Sequence, residues 1–341
     1  MISPKVAIIV VNWNGWVDTI ECIESIQKIT YTNYQIILVD NFSTDDSVKR
    51  INTWSNGKIK CLLVEEDIGT DLKDEHKIVF ITIQKNLGFS GGYNVGIRYA
   101  LRRKFDYILL LNNDTLVEKN FLEPIIAVSD RDTTIGISGG KIYYYSDRNR
   151  IWSAGGFYKG FGVFGLYGLN QLDNGQFDKE REVDFCVGAF MLIKQNIFEK
   201  VGLLPECYFM GMEEGDFALS ARNMGYKCFY VPTSVIWHKV GVYNKDNQCK
   251  LKYIYNNYRN RLLFYQRHLS GFTRTICLLL FKIYVNYYMG ICSKLLTLIH
   301  HNNINAIREA AKLALIDHRS NNIVLEEDIK RAESVLSKFE V

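Results

Sequence analysis

A mostly parallel, doubly wound α/β sheet is predicted for this chain by three observations. Short apolar runs rich in β-branched residues recur, amphipathic helical stretches separate them, and each run breaks off into a polar turn. Residues 6–11 (VAIIVV) suit a strand buried on both faces, and Asn12-Trp13-Asn14-Gly15 ends it. Residues 16–29 follow as an amphipathic helix. Residues 35–39 form the next strand and run into Asp40, Asn41 and Phe42. Ser43 or Thr44 is expected there to cap a helix whose first turn carries acids. Residues 59–64 and 78–83 read as strands, with an acidic, exposed insertion at 65–75 between them. Residues 94–103 are helical, and 107–111 (YILLL) form a strand closed by Asn112-Asn113-Asp114. This alternation covers roughly the first 125 residues.

Residues 135–177, rich in Gly, Tyr and Phe, suit strands and loops. Residues 183–240 give a strand (FCVGAFMLI), a helix at 195–201, a loop, a helix at 215–224 and a strand at 228–231. The character then changes. Of the 41 Lys and Arg in 341 residues, nine fall between Asn247 and Arg308, a stretch with no Asp or Glu. A boundary is therefore expected near 248. It separates a catalytic domain (1–248, with halves 1–125 and 126–248) from a helical, basic C-terminal region (249–341). Eight scattered cysteines without a C-x-x-C pair point to a reducing compartment rather than a disulfide scaffold. The N-terminus shows no cleavable signal pattern, so the cytoplasm is the expected location.

Besides the triplet Asn112-Asn113-Asp114, four segments carry chemistry. Val11 and Trp13 lie at the end of the first strand, and Asp40 at the end of its neighbour. Asp40 is placed either to accept the imide N–H of uracil or thymine or to start a turn. Asn86 opens the glycine-dense stretch 86–96 (NLGFSGGYNVG). Gly91 and Gly92 there allow a ligand close to the backbone, or else a tight loop packs on the sheet. The spacing fits neither a dinucleotide fingerprint nor a P-loop, which disfavours a dehydrogenase. Asn112, Asn113 and Asp114 leave the carboxyl end of a buried strand, over the crevice where such sheets bind ligands, although the triplet is also ordinary turn chemistry.

The third segment, YFMGMEEGDFALSAR, puts Glu213 and Glu214 at a helix start, where the dipole favours acids. Phe209, Met210 and Met212 would partly desolvate a carboxylate and raise its pKa, as a general base near neutrality needs. The fourth is His238, which follows the apolar Val235-Ile236-Trp237 and by itself suits a core histidine. With Asp114 and two diphosphate oxygens it would complete a sphere for Mn²⁺ or Mg²⁺, the imidazole favouring Mn²⁺.

In order, VVNWNG, VDNFSTDDS, NLGFSGGYNVGIRYAL, LLLNNDT, CVGAFMLIK, YFMGMEEGDFALSAR and IWHKVG resemble the family 2 glycosyltransferases of GT-A fold. The likeness spans roughly residues 5–265 and is nearest to the rhamnosyltransferase and galactofuranosyltransferase branch of bacterial surface polysaccharide synthesis. It implies an inverting transfer of a sugar, with rhamnose favoured, from a dTDP- or UDP-sugar to a glycan or polyprenyl-pyrophosphate-linked saccharide. Asp40 would contact the pyrimidine, with Val11 and Trp13 near the base and Asn112 by the ribose. Asp114 and His238 would hold the metal, Glu214 would be the base and Glu213 its support. Asp216 and Arg222 match the helix that follows. Asn112 in place of an aspartate, Glu214 in place of the commoner Asp, and Pro205 and Gly211 depart from the family pattern.

In the C-terminal region, aromatic and basic residues interleave through 250–274, and residues 276–299 are apolar but broken by Lys282, Asn286 and Lys294. No uninterrupted apolar stretch is long enough to span a bilayer. The composition fits helices on an anionic leaflet of the cytoplasmic membrane, or helices packed on the catalytic domain or a second subunit in a homodimer. Without a base-reading motif, nucleic acid is not an expected partner. An amphipathic helix is expected over 323–341. A non-catalytic sugar-nucleotide binder on the same fold is the rival reading. A nucleotidyltransferase is disfavoured because residues 11–15 carry no Lys or Arg.

Overall fold

A computed structural model describes residues 3–56, 60–63, 76–240, 247–288, 303–317, 331 and 334. The chain divides into two compact units. The first holds residues 1–158, 164–205 and 214–240, and the second holds 159–163, 206–213 and 241–341.

The first unit opens with β1 (Val6–Asn12), α1 (Trp16–Ile26), β2 (Tyr34–Asp40), α2 (Ser47–Ser55), β3 (Lys60–Leu63), β4 (Ile78–Thr82), α3 (Gly88–Arg102) and β5 (Tyr107–Asn112). It continues through β6 (Thr115–Val117), α4 (Leu122–Arg131), β7 (Ile135–Tyr144), β8 (Ile151–Ser153), β9 (Gly156–Tyr158), β10 (Phe164–Leu166), β11 (Arg181–Val183), β12 (Phe190–Lys194) and α5 (Gln195–Val201). Helix α6 (Glu213–Asn223) and β13 (Lys227–His238) complete it. The main sheet runs β11-β13-β7-β12-β5-β1-β2-β4-β3, with β6 on β13 and β8 on β7. Strands β5, β1, β2, β4 and β3 are mutually parallel. Strand β12 is inserted antiparallel between β5 and β7.

From β1 the chain passes to β2, then to the edge strand β3, returns to β4 between them, and α3 carries it across to β5 on the other side of β1. Strand order therefore reverses between β1 and β5, which is where open α/β sheets bind ligands. Residues 6 to 10 of β1 are fully buried, as an apolar β-branched strand covered on both faces requires.

Several local expectations need correction. Helix α3 begins at Gly88 rather than at 94, so the glycines lie inside it. A Cβ on Gly96 would lie 2.6 Å from Ile9 Cγ2, and one on Gly92 3.0 Å from Val11 Cγ1. The glycines let a helix sit directly on β1. Helix α2 begins at Ser47 after Asp46, with no side-chain cap; Ser43 is engaged by Asp40 and Thr44 by Asn14 instead. Phe185 to Ala189 is a turn before β12, not strand, and the strand expected at 228–231 runs on to His238. The acidic insertion at 65–75 lies outside the described residues, and so does 323–341 apart from Arg331 and Ser334.

The second unit contains α7 (Asn247–His268), α8 (Gly271–Ile283), a π-helical turn (Tyr284–Tyr288) and α9 (Asn303–Asp317). The loop 206–213 belongs to it: Asn260 of α7 donates to the carbonyls of Met210 (2.8 Å) and Gly211 (2.7 Å). Among the described residues, no helix is long and apolar enough to cross a membrane.

Because Ile9 is branched at the contact, it has little room to yield. Gly96→Val should lower stability by about 1–3 kcal/mol through overpacking. A urea unfolding midpoint equal to the parent's would show that α3 does not need the glycine.

Candidate active site

Parallel register sets the rim of the site. Asn12 is level with Asp40, and Val11 with Asn112, so three strands deliver polar ends to one edge. Asn12 and Asp40 are buried there, Asn112 and Asn113 half-buried, and a chain of hydrogen bonds joins Asn113 to Asp40. Asn113 Nδ2 donates to Thr19 Oγ1 (2.9 Å), which donates to Asn12 Oδ1 (2.7 Å); Asn12 Nδ2 then donates to Asp40 Oδ2 (2.7 Å). Ser43 donates to both Asp40 oxygens, through its amide (2.9 Å) and its hydroxyl (2.7 Å). Asp40 is 1% exposed. Its carboxylate ties β1 to the residues after β2. Trp13 and Phe42 stay half exposed at the ends of these strands, and Phe42 holds a left-handed φ of 63°. Such a conformation in a bulky residue is strained.

Asn86 is turned inward too. Its Oδ1 accepts from Asn41 Nδ2 (3.0 Å) and the Gly88 amide (2.9 Å), which shapes the entry to α3. Gly91 and Gly92 are buried against Leu87, and against Val11 and Asn41, respectively. Packing of α3 on Val11 and Asn41 thus leaves no room for a side chain at Gly92.

Across the switch point, Tyr93 on α3 donates to Asn112 Oδ1 (3.2 Å). Burial raises its pKa well above the ordinary tyrosine value, so it remains a donor. Asp114 Oδ1 lies 3.0 Å from His238 Nε2, and Asn112 Nδ2 lies 3.5 Å from the same nitrogen. The pairing of β6 with β13 produces this meeting, because Thr115 and His238 are opposite residues. Trp152 on β8 packs edge-on against the imidazole, ring centres 4.5 Å apart. His238 Nδ1 is buried with no hydrogen-bond partner. The ring is therefore held by the tryptophan on one side and offers Nε2 to the rim.

The donor set suits a divalent ion. Two ligand atoms on adjacent octahedral positions at roughly 2.1 Å from Mg²⁺ would lie about 3 Å apart. The observed Asp114–His238 separation matches that spacing. Among the described residues no cluster of three or more His, Cys, Asp or Glu is present, so other oxygens must complete the sphere. Phosphate oxygens and water do so in many Mg²⁺ sites.

Glu214 reaches the rim through the turn before β12. The Gly188 amide donates to its carboxylate, and the adjacent Ala189 carbonyl accepts from the Asn112 amide at 3.2 Å. Phe89 of α3 covers Gly188, where a Cβ would meet its ring at 2.6 Å. Burial raises the Glu214 pKa above the ordinary 4.5, and Oε2 is buried without a partner. The direction is the one composition suggested, but Met212 packs elsewhere, on Cys207, Tyr208 and Leu263. On α6 it is Phe164 that covers Gly215. Glu213 is 3% exposed and belongs to the second unit, Asp216 is buried, and Arg222 pairs with Asp184 at 2.7 Å. Tyr93, Thr19, Trp152 and Gly188 escaped sequence reasoning, although Tyr93, inside the glycine-rich segment, and Gly188, inside CVGAFMLIK, lay in segments that carried a signal.

The family model for glycosyl transferase family 2 matches residues 7–202, more than half of the chain. The chain belongs to this family. The low-salt glycan biosynthesis hexosyltransferase Agl10 of Haloferax volcanii is 26% identical over 58% of this chain and 64% of its own length. Glycosyltransferase GlyG of Streptococcus pneumoniae serotype 4 is 28% identical over 58% of the chain and 60% of its own length. The dTDP-rhamnosyl transferase RfbF of Shigella flexneri is 23% identical over 50% and 55%. The matches thus span somewhat less than two thirds of these relatives. Among solved structures, the mannosyltransferase PcManGT from Pyrobaculum calidifontis, in complex with GDP-Man and Mn²⁺, superposes with a TM-score of 0.55 at 12% identity, covering 94% of this chain and 88% of that one. GalNAc-T7 with UDP, GalNAc and Mn²⁺ gives 0.55 at 17% identity, over 75% and 47%. The glycosyltransferase fold predicted from the motifs, of GT-A type, is the fold observed.

A raised carboxylate pKa has a sign. Between 4.5 and the raised value the unfolded chain loses its proton first, so this group's contribution to stability falls as pH rises through that window. Glu214→Gln removes the effect. Its melting temperature should gain on the parent's as pH climbs above 4.5, and a difference independent of pH would show an unperturbed carboxylate.

Proposed function

We propose that this family 2 member is a metal-dependent, inverting glycosyltransferase. It moves a hexosyl residue, with rhamnose favoured, from a dTDP- or UDP-sugar to a hydroxyl of a glycan or lipid-linked saccharide in surface polysaccharide assembly. One observation carries the reading. A carboxylate with raised pKa is tied through Gly188 and Ala189 to the same strand end that bears the Asp114–His238 pair. A base and a diphosphate anchor at one rim are what a single displacement at an anomeric carbon requires.

In this reaction Glu214 takes the proton of the acceptor hydroxyl as its oxygen forms the bond to the anomeric carbon. The bond to the diphosphate breaks on the opposite face. Asp114 and His238 would hold Mn²⁺ or Mg²⁺, which when bound neutralises charge on the leaving diphosphate. Val11 and Trp13 would lie near the base, with the half-exposed Trp13 available to stack on the pyrimidine. Asn112 lies by the ribose with Asn113 beside it, and Asp40, held in place by Asn12 and Ser43, contacts the pyrimidine. The dTDP-rhamnosyl activity named for the Shigella flexneri relative supports the choice of sugar.

General-base catalysis is typically worth roughly 10²–10⁴-fold. Glu214→Gln should lose about that much kcat while the donor KM stays near the parent's. Turnover close to the parent's would remove Glu214 from the role.

Asp114→Ala and His238→Ala should instead weaken donor binding, measured by titration calorimetry with and without Mn²⁺. Equal affinity in both conditions for the parent would exclude the metal.

A further inference from the structure

We propose that the second unit carries a site for an anionic membrane lipid, with its hydrocarbon chain in a cavity between α7 and α8 and its phosphate on Arg261. The site is independent of the catalytic reading above. The cavity measures about 800 Å³ and is lined by Ile254, Tyr258, Arg261, Ile276, Leu280 and Phe281, among others. That lies within the roughly 300–1,000 Å³ of small-molecule sites.

Helix α8 is apolar on two faces and buries only one. Cys277, Phe281 and, beyond the helix end, Val285 point inward at i, i+4 spacing. Phe272, Ile276, Leu279, Leu280, Ile283 and Tyr287 are exposed along another stripe, Phe272 at 80%. A helix in a water-soluble protein normally turns such a stripe to a core. Left outward, it marks a surface that meets another apolar phase.

Charge selects among the occupants. Residues 247–308 hold nine Lys and Arg and no acid. Arg261 stands in the cavity wall with its Nε buried and without a hydrogen-bond partner among the described residues. A guanidinium at the edge of an apolar cavity asks for an anion attached to an apolar body. A second copy of this chain would bring the same cations face to face with these. A peptide helix could fill the groove but would leave the guanidinium unmatched unless it were acidic. A bilayer lipid with a phosphate head supplies both parts at once, and juxtamembrane cations gain from the anionic leaflet as well.

The test is co-sedimentation of the full chain with vesicles of phosphatidylcholine alone or with phosphatidylglycerol. The parent should bind the anionic vesicles and leave the neutral ones. Arg261→Ala should weaken binding about fivefold, the effect of one surface cation. Phe272→Ser, at a position exposed enough to spare folding, should weaken it further, and inorganic phosphate at millimolar concentration should not compete. Equal binding to neutral vesicles, or binding indifferent to both substitutions, would overturn the proposal. A dimer in sedimentation velocity that Phe272→Ser dissolves would overturn it too, by assigning the stripe to a second copy. Competition by free phosphate would reduce the site to an anion pocket and count equally against a lipid.

Discussion

The register of β1 between β2 and β5 is the constraint on which the site depends. Because Asn12 is level with Asp40 and Val11 with Asn112, three strand ends fall on one line. A slip of one residue in any of them would turn Asn12 into the sheet and an apolar neighbour toward the rim. The buried polar groups at this edge defend the register: Asp40 has Asn12 and Ser43 as donors, and Asn12 in turn accepts from Thr19. Buried polar groups are stable only when paired, so a misaligned strand would leave a carboxylate without partners in an apolar interior. The rim is thus a consequence of folding, prepared before any ligand arrives.

On the other side of the switch point the chemistry depends on groups that are less than fully satisfied. Glu214 accepts from the Gly188 amide yet keeps a buried oxygen unpaired, and His238 keeps an unpaired Nδ1. The contrast with Asp40 is physical. A carboxylate surrounded by donors is held ionised, whereas one held by burial with spare acceptor capacity takes a proton more readily, as the proposed base role needs. The same fold therefore holds two acids a few strands apart in opposite surroundings. Environment, rather than residue type, separates them.

The parts legible in the sequence were those written locally. The β-branched runs identified the parallel strands, and the triplet after YILLL, the paired acids before an apolar helix face and the histidine after VIW marked the rim. Where a residue's role depends on what lies across the fold, local reading failed. The glycines of NLGFSGGYNVG looked like a ligand loop because nothing in the segment reveals that Ile9 and Val11 press against it. Ser43 looked like a helix cap because its actual acceptor, the Asp40 carboxylate, can equally well stay free in a turn. FCVGAFMLI looked like one strand although Gly188 bends its first half into the turn that serves Glu214. Asp40 itself offered two roles, and the local sequence does not reveal that Asn12, from the neighbouring strand, donates to it.

Helix α6 draws its support from two sources. Its first residue and the loop before it are held by α7, through Asn260 on the carbonyls of Met210 and Gly211. Its second residue, Glu214, is held by the Gly188 amide within the first unit. Gly211 and Met212 both take left-handed backbone conformations, with φ of 88° and 77°, and for methionine that is a strained state which the surrounding bonds must maintain. The nucleotide rim relies on neither residue. The strand ends keep their own network, which runs from Asn113 through Thr19 and Asn12 to Asp40 and Ser43.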